Sequence, residues 1–107
     1  YVVNNAGVMT AVYSGEPFNW ETQQPLLPEV IHEATDEYFE GVLAINIIGL
    51  FKSLRAELRQ MVAQGKGGAI VNVGSVTGLR GFGSNPAYVS SKHGVTGITK
   101  NAAIDYA

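Results

Sequence analysis

The sequence predicts an α/β fold, the central β-α-β-α portion of a doubly wound parallel sheet. Three observations carry that reading. Two short apolar runs, residues 1–4 and 69–74, each end in a turn of small and polar residues. A long amphipathic helical pattern over about 36–63 lies between them, which makes them parallel strands joined by a right-handed crossover. A second helical pattern starts near Pro86 and runs to residue 107.

Taken in order, residues 1–4 read as a short buried strand, its Tyr1-Val2-Val3 run continuously apolar because a parallel strand is covered on both faces. Asn4-Asn5-Ala6-Gly7 is the turn at its carboxyl end, where small residues let the backbone pass closely. Residues 8–34 hold Pro17, Pro25 and Pro28 together with Phe18 and Trp20. They predict a long loop that covers a site, with a helical turn at 28–34 that Pro28 would begin. Thr35-Asp36-Glu37 is a helix start: the threonine can cap, and the acids suit the positive end of the dipole. Phe39, Leu43, Ile47, Leu50, Leu54, Leu58 and Met61 then form one apolar stripe. Gly65-Lys66-Gly67-Gly68 ends the helix. The second strand follows, then a glycine-rich loop from Ser75 to Pro86, then the second helix.

Composition narrows the function classes. Of 107 residues, 46% are hydrophobic and 15% charged, which is typical of a packed interior rather than a disordered chain. The net charge is −2, so no basic surplus exists for a nucleic-acid backbone or an anionic membrane. The longest apolar stretch, 42–51, is interrupted by Asn46 and Gly49 and falls short of the roughly 20 residues a bilayer needs. Residues 1–5 do not read as a secretory leader. No cysteine is present, which excludes a disulfide scaffold, a thiolate metal site and a cysteine nucleophile and fits a cytoplasmic setting. No His, Asp or Glu cluster has metal-ligand spacing. The sequence opens in a strand and closes in a helical pattern, and two strands cannot hide both edges of a sheet. It therefore reads as the middle of a longer domain.

Three places carry possible chemistry. Tyr88-Val-Ser-Ser-Lys92 puts a phenol and an ammonium one turn apart on one helix face, and an ammonium favours the phenolate form of a neighbouring phenol. Ser75 follows the second strand, at the sheet edge where α/β proteins bind ligands, and Asn4–Gly7 stand at the same end of the first strand. Asn46 falls on the apolar stripe, where a buried amide must find partners. Each has a plainer alternative: an incidental surface pair, a turn serine, a polar residue fixing helix register.

Together these residues resemble the short-chain dehydrogenase/reductase family, which binds NAD(H) or NADP(H) on a Rossmann-like fold. The resemblance rests on N-N-A-G at Asn4–Gly7 and the helical asparagine in Asn46-Ile-Ile-Gly49-Leu-Phe51. It rests also on the serine ending Ile70-Val-Asn-Val-Gly-Ser75 and, thirteen residues on, the Y-x-x-x-K pair Tyr88 and Lys92. It implies a partial NAD(P)-binding domain over 1–107 with the family's G-x-x-x-G-x-G phosphate loop absent. It implies hydride transfer between NAD or NADP and a small-molecule carbonyl or secondary alcohol. In that scheme Tyr88 is the general acid/base, assisted by Lys92, which also bonds the nicotinamide ribose. Ser75 holds the substrate oxygen, and Asn46 holds a water that links Lys92 to solvent. Asn4, Ala6 and Gly7 approach the cofactor. The family implies a homodimer or homotetramer through helices 36–63 and 86–107. Two departures are visible: the stretch from Gly7 to Asn46 is longer than usual, and Gly74 stands where a second serine is common.

Other readings are weaker. Gly78-Leu-Arg-Gly81-Phe-Gly83 mimics a phosphate loop, but it lies between Ser75 and Tyr88 and reads as a pocket loop. A Ser-His-Asp hydrolase built on Ser75, either His32 or His93, and Asp105 lacks the G-x-S-x-G elbow. A non-catalytic nucleotide-binding or oligomerisation module remains the alternative to an enzyme.

Overall fold

A computed structural model describes residues 1–8, 30–81, 83 and 85–107. Most of the predicted covering loop, including Pro28 and the start of its helical turn, lies outside the described residues. What is described of that turn is one short 3-10 turn, Ile31–Glu33.

Strand β1, Val2–Asn4, pairs in parallel with β2, Ile70–Asn72, in the register Val2↔Ile70, Val3↔Val71 and Asn4↔Asn72. Both strands are shorter than their apolar runs. The register is extended at its two ends by Val2 N–H donating to Ala69 O and Val73 N–H donating to Asn4 O. Side chains alternate across the pleat. Val2, Asn4, Ile70 and Asn72 are half-buried, and Asn4 and Asn72 bond to the helices. Val3 and Val71 point the other way and are 64% and 55% exposed. The described helices thus cover one face of the sheet, not the two that continuous apolar strands lead one to expect.

The first helix is interrupted. Helix α1, Asp36–Leu43, begins as predicted: Thr35 Oγ1 accepts from Tyr38 N–H at 3.2 Å. A π-helical segment, Ala44–Ile48, follows, with Gly49 N–H reaching back to Ala44 O. Helix α2, Gly49–Gln64, completes the run and ends on Gly65, whose φ of 67° is a left-handed cap that glycine adopts without strain. The wider turn changes which residues are buried. Tyr38, Val42, Asn46, Leu50 and Leu54, spaced strictly by four, are the buried ones. Round an unbroken α-helix such a spacing drifts by about 40° a step, or about 160° over the set. One extra residue in a π turn sets the register back by about 100° and keeps the five on one face. The predicted stripe ran one residue off at its start, and Phe39 is 37% exposed.

After β2 the chain makes a 3-10 turn, Val76–Gly78, inside the predicted loop. Helix α3, Pro86–Asp105, starts at proline and stops two residues short of the predicted 107. Two apolar clusters hold the helices together. Tyr38, Val42 and Ala87 join α1 to the first turn of α3, while Leu50, Leu54 and Val95 join α2 to its middle. Asn46 falls between the two along the helix. Among the described residues no helix is long and apolar enough to cross a membrane.

Candidate active site

Asn46 is 1% exposed, and its side chain makes three hydrogen bonds. Its Oδ1 accepts from Val8 N–H at 2.7 Å, and its Nδ2 donates to Val8 O at 2.7 Å. The amide therefore pairs with the backbone just after the N-N-A-G turn, as a neighbouring strand would. The second Nδ2 proton goes to Ser91 Oγ at 3.0 Å, and Ser91 Oγ donates to Tyr88 O at 2.8 Å. One buried residue thus ties the turn after β1 to the helical turn that carries Tyr88 and Lys92. One lone pair of Asn46 Oδ1 has no partner among the described residues and is open to the water that the family resemblance assigns to it.

Lys92 is 6% exposed, one turn beyond Tyr88, with Nζ 5.7 Å from the centre of the Tyr88 ring. Its ammonium has no hydrogen bond or ion pair among the described residues. The N-N-A-G turn lies directly against it. A Cβ added at Gly7 would stand 3.1 Å from Lys92 Nζ and 3.5 Å from Asn46 Oδ1. Glycine is needed here for close approach, not for an unusual backbone angle. A cleft of about 560 Å³ opens beside these groups, walled by Asn4, Asn5, Ala6, Asn46, Val73 and Lys92. That volume is within the range of small-molecule sites, about 300–1,000 Å³.

Ser75 precedes the 3-10 turn, and its hydroxyl oxygen accepts from Thr77 N–H at 3.2 Å and from Thr77 Oγ1 at 3.0 Å. Both bonds use Ser75 as acceptor, which leaves its own proton free to donate. The turn is fixed to α3 by Thr96 Oγ1, which lies 3.3 Å from both Gly78 O and Lys92 O. Tyr88 is half-buried, and its phenol has no hydrogen bond among the described residues. Ser75 and Tyr88 share no hydrogen bond and do not wall the cleft; each is held within a turn of a residue that touches Lys92 or its backbone.

The Asn4 side chain is bonded to the sheet and to a helix. Its Nδ2 donates to Glu57 Oε2 at 3.0 Å and to Asn72 Oδ1 at 2.9 Å, while Asn72 Nδ2 donates to Thr99 Oγ1 at 2.9 Å. Its amide nitrogen locks the two strands to α2 and α3, although the residue also forms part of the cleft wall. The sequence alone does not distinguish Ser91 or Thr77. Ser91 offered no signal beside Ser90, and only the fold shows which of the two faces Asn46.

The profile of the short chain dehydrogenase family matches residues 1–107. The chain belongs to that family. It is 41% identical over 105 residues to a 3beta-hydroxysteroid dehydrogenase of Mediterraneibacter gnavus, covering 98% of this chain and 32% of that protein. Among solved structures, ElxO with NADP bound is similar at a TM-score of 0.74 and 33% identity, over 96% of this chain and 35% of that one. Carveol dehydrogenase from Mycobacterium avium in complex with NAD is similar at a TM-score of 0.78 and 26% identity, over 96% of this chain and 31% of that one. The chain thus has the α/β, Rossmann-like fold of short-chain dehydrogenases and spans about a third of the length of these relatives.

Proposed function

We propose that the protein to which these residues belong is an NAD- or NADP-dependent oxidoreductase acting on a small carbonyl compound or secondary alcohol, with residues 1–107 as the central part of its cofactor-binding domain. The observation that carries this reading is Lys92: a buried amine without a hydrogen bond or ion pair among the described residues, set against Gly7 and one turn from a phenol that likewise has no hydrogen bond among them. An amine in that setting suits the hydroxyls of a ribose, and the small residues of the N-N-A-G turn leave room for a flat ligand to approach. The residues present therefore fit a nicotinamide nucleotide, held by Lys92, Tyr88, Ala6, Gly7 and the backbone of Asn4.

When bound, the nucleotide supplies or takes the hydride. The chain's own residues handle the oxygen left behind. Tyr88 gives a proton to the developing alkoxide or takes one from the alcohol, and the Ser75 hydroxyl donates a hydrogen bond to the same oxygen while keeping its own proton. Lys92 holds the ribose and the charge near Tyr88. Asn46 fixes Val8 and, through Ser91, the Tyr88 turn, and the open lone pair of its Oδ1 takes the water that links Lys92 to solvent. The exposed apolar side chains Ile48, Phe51, Val62, Ile104 and Tyr106 on α2, α3 and their flanks support assembly into a homodimer or homotetramer, to be checked by light scattering.

The deciding experiment is Tyr88→Phe in the full-length protein. It keeps the ring and removes the proton donor. Since a positioned acid or base contributes about 10²–10⁴ in rate, kcat should fall by at least that range while cofactor binding persists. Near-normal turnover would end the proposal.

A further inference from the structure

Asn85 occupies the position before α3, where asparagine normally caps a helix through its side chain. It does not do so here: its backbone, at φ −146° and ψ 55°, is followed directly by Pro86, and no side-chain cap bond forms. The side chain turns inward instead and is 6% exposed. There its Oδ1 accepts from the Tyr38 hydroxyl at 3.0 Å, across 47 residues of sequence. The Tyr38 ring packs with Val42 against Ala87, which is fully buried and adjoins Tyr88. Tyr38 therefore supports the first turn of α3 twice, by its ring under Ala87 and by its hydroxyl on Asn85.

We propose that Tyr38 is a positioning residue for the reaction, its hydroxyl setting the start of α3 through Asn85 and so the angle at which Tyr88 presents its phenol. The proposal rests on the oxidoreductase reading above. Asn46 and Ser91 hold the same turn from its far side, three residues beyond Tyr88. The proton-transfer residue is thereby gripped at both ends from one helix. Asn85 also closes the glycine-rich segment that begins after Ser75, so the same bond bears on how that segment meets the helix. A polar side chain at position 38 would be out of place on an apolar helix face if packing were its whole purpose. Phenylalanine would fill the volume equally well.

The test uses the full-length enzyme and the variants Tyr38→Phe, Asn85→Ala, the double variant and Tyr88→Phe. Misplacement of a reacting group lowers the chemical step without removing a binding contact. Tyr38→Phe should therefore reduce kcat by about tenfold with the KM for cofactor within twofold of the parent. Asn85→Ala should reduce kcat similarly, and adding it to Tyr38→Phe should do little further harm, since both remove one bond. A loss of thermal stability with unchanged kcat, or losses in kcat that simply multiply, would overturn the proposal. If Tyr38→Phe gives no folded protein, Asn85→Ala decides alone: kcat within twofold of the parent refutes the role. Tyr88→Phe separates the two readings. If it retains turnover, the oxidoreductase mechanism fails; if it abolishes turnover while Tyr38→Phe does not affect it, only the positioning role fails.

Discussion

At the scale of single residues, the site is organised by what surrounds Lys92. Its Nζ has little room to spare, because the backbone of Gly7 occupies one side. Gly7→Ala in the full-length protein should push the flexible end of Lys92 aside, as the new Cβ would stand 3.1 Å from Nζ. The expected result is a several-fold higher KM for the nicotinamide nucleotide with a nearly unchanged melting temperature; an unchanged KM would show that Lys92 does not hold the cofactor. Ser91→Ala acts on the opposite side. It leaves one buried Nδ2 proton of Asn46 without its acceptor, a loss of about 1–3 kcal/mol that chemical denaturation would register. Asn46 was legible in the sequence because an amide on an apolar stripe needs an explanation. Its partners were not, since Val8 lies 38 residues away and Ser91 lies 45 residues away, and only the packed helices bring them together.

At the scale of elements, the caps and strands could be read directly. Thr35, Gly65 and Pro86 stand where local backbone chemistry requires them, and each marks a helix end within a residue. The π segment could not be read by the α-helical template, which selects Phe39, Leu43 and Ile47 and thereby misses Tyr38 and Val42, the start of the fourfold line that reaches Asn46. That line is in the sequence; its meaning depends on knowing that the helix widens midway. The segment also sets the site, because it places Asn46 on the same face as Tyr38 and lets one helix hold α3 on both sides of Tyr88. Deleting Ile48 would restore an ordinary α-helix and rotate α1 against α2 by about 100°. Tyr38 and Val42 would then leave Ala87, or Leu50 and Leu54 would leave Val95. The full-length variant should lose its cooperative thermal transition, and a melting temperature equal to the parent's would show that the wide turn is dispensable.

At the scale of the whole molecule, the 107 residues leave much unsatisfied. Among the described residues the sheet has two strands, and Val3 and Val71 lie exposed on the face that the described helices do not cover. An isolated pair of strands is marginal in water, and its unpaired edges invite association. Among the described residues only six apolar side chains are buried: Tyr38, Val42, Leu50, Leu54, Ala87 and Val95. They join helix to helix, while the sheet is fastened to α2 and α3 mostly by Ile70 and by the polar line from Glu57 through Asn4 and Asn72 to Thr99. Hydrogen bonds of that kind add little net stability where water competes for them. The relatives are about three times as long, so the additional chain is available to cover the bare face and to complete the cleft beside Lys92. The 107 residues produced alone should therefore melt without a sharp transition, expose apolar surface to a hydrophobic dye and show no turnover. Binding of NADH or NADPH, followed by nucleotide fluorescence, should be weaker than millimolar. Cooperative unfolding combined with millimolar or tighter binding would show that the helix layer and its polar ties suffice, and that the cleft walled by Asn4, Ala6, Asn46 and Lys92 is already a complete nucleotide site.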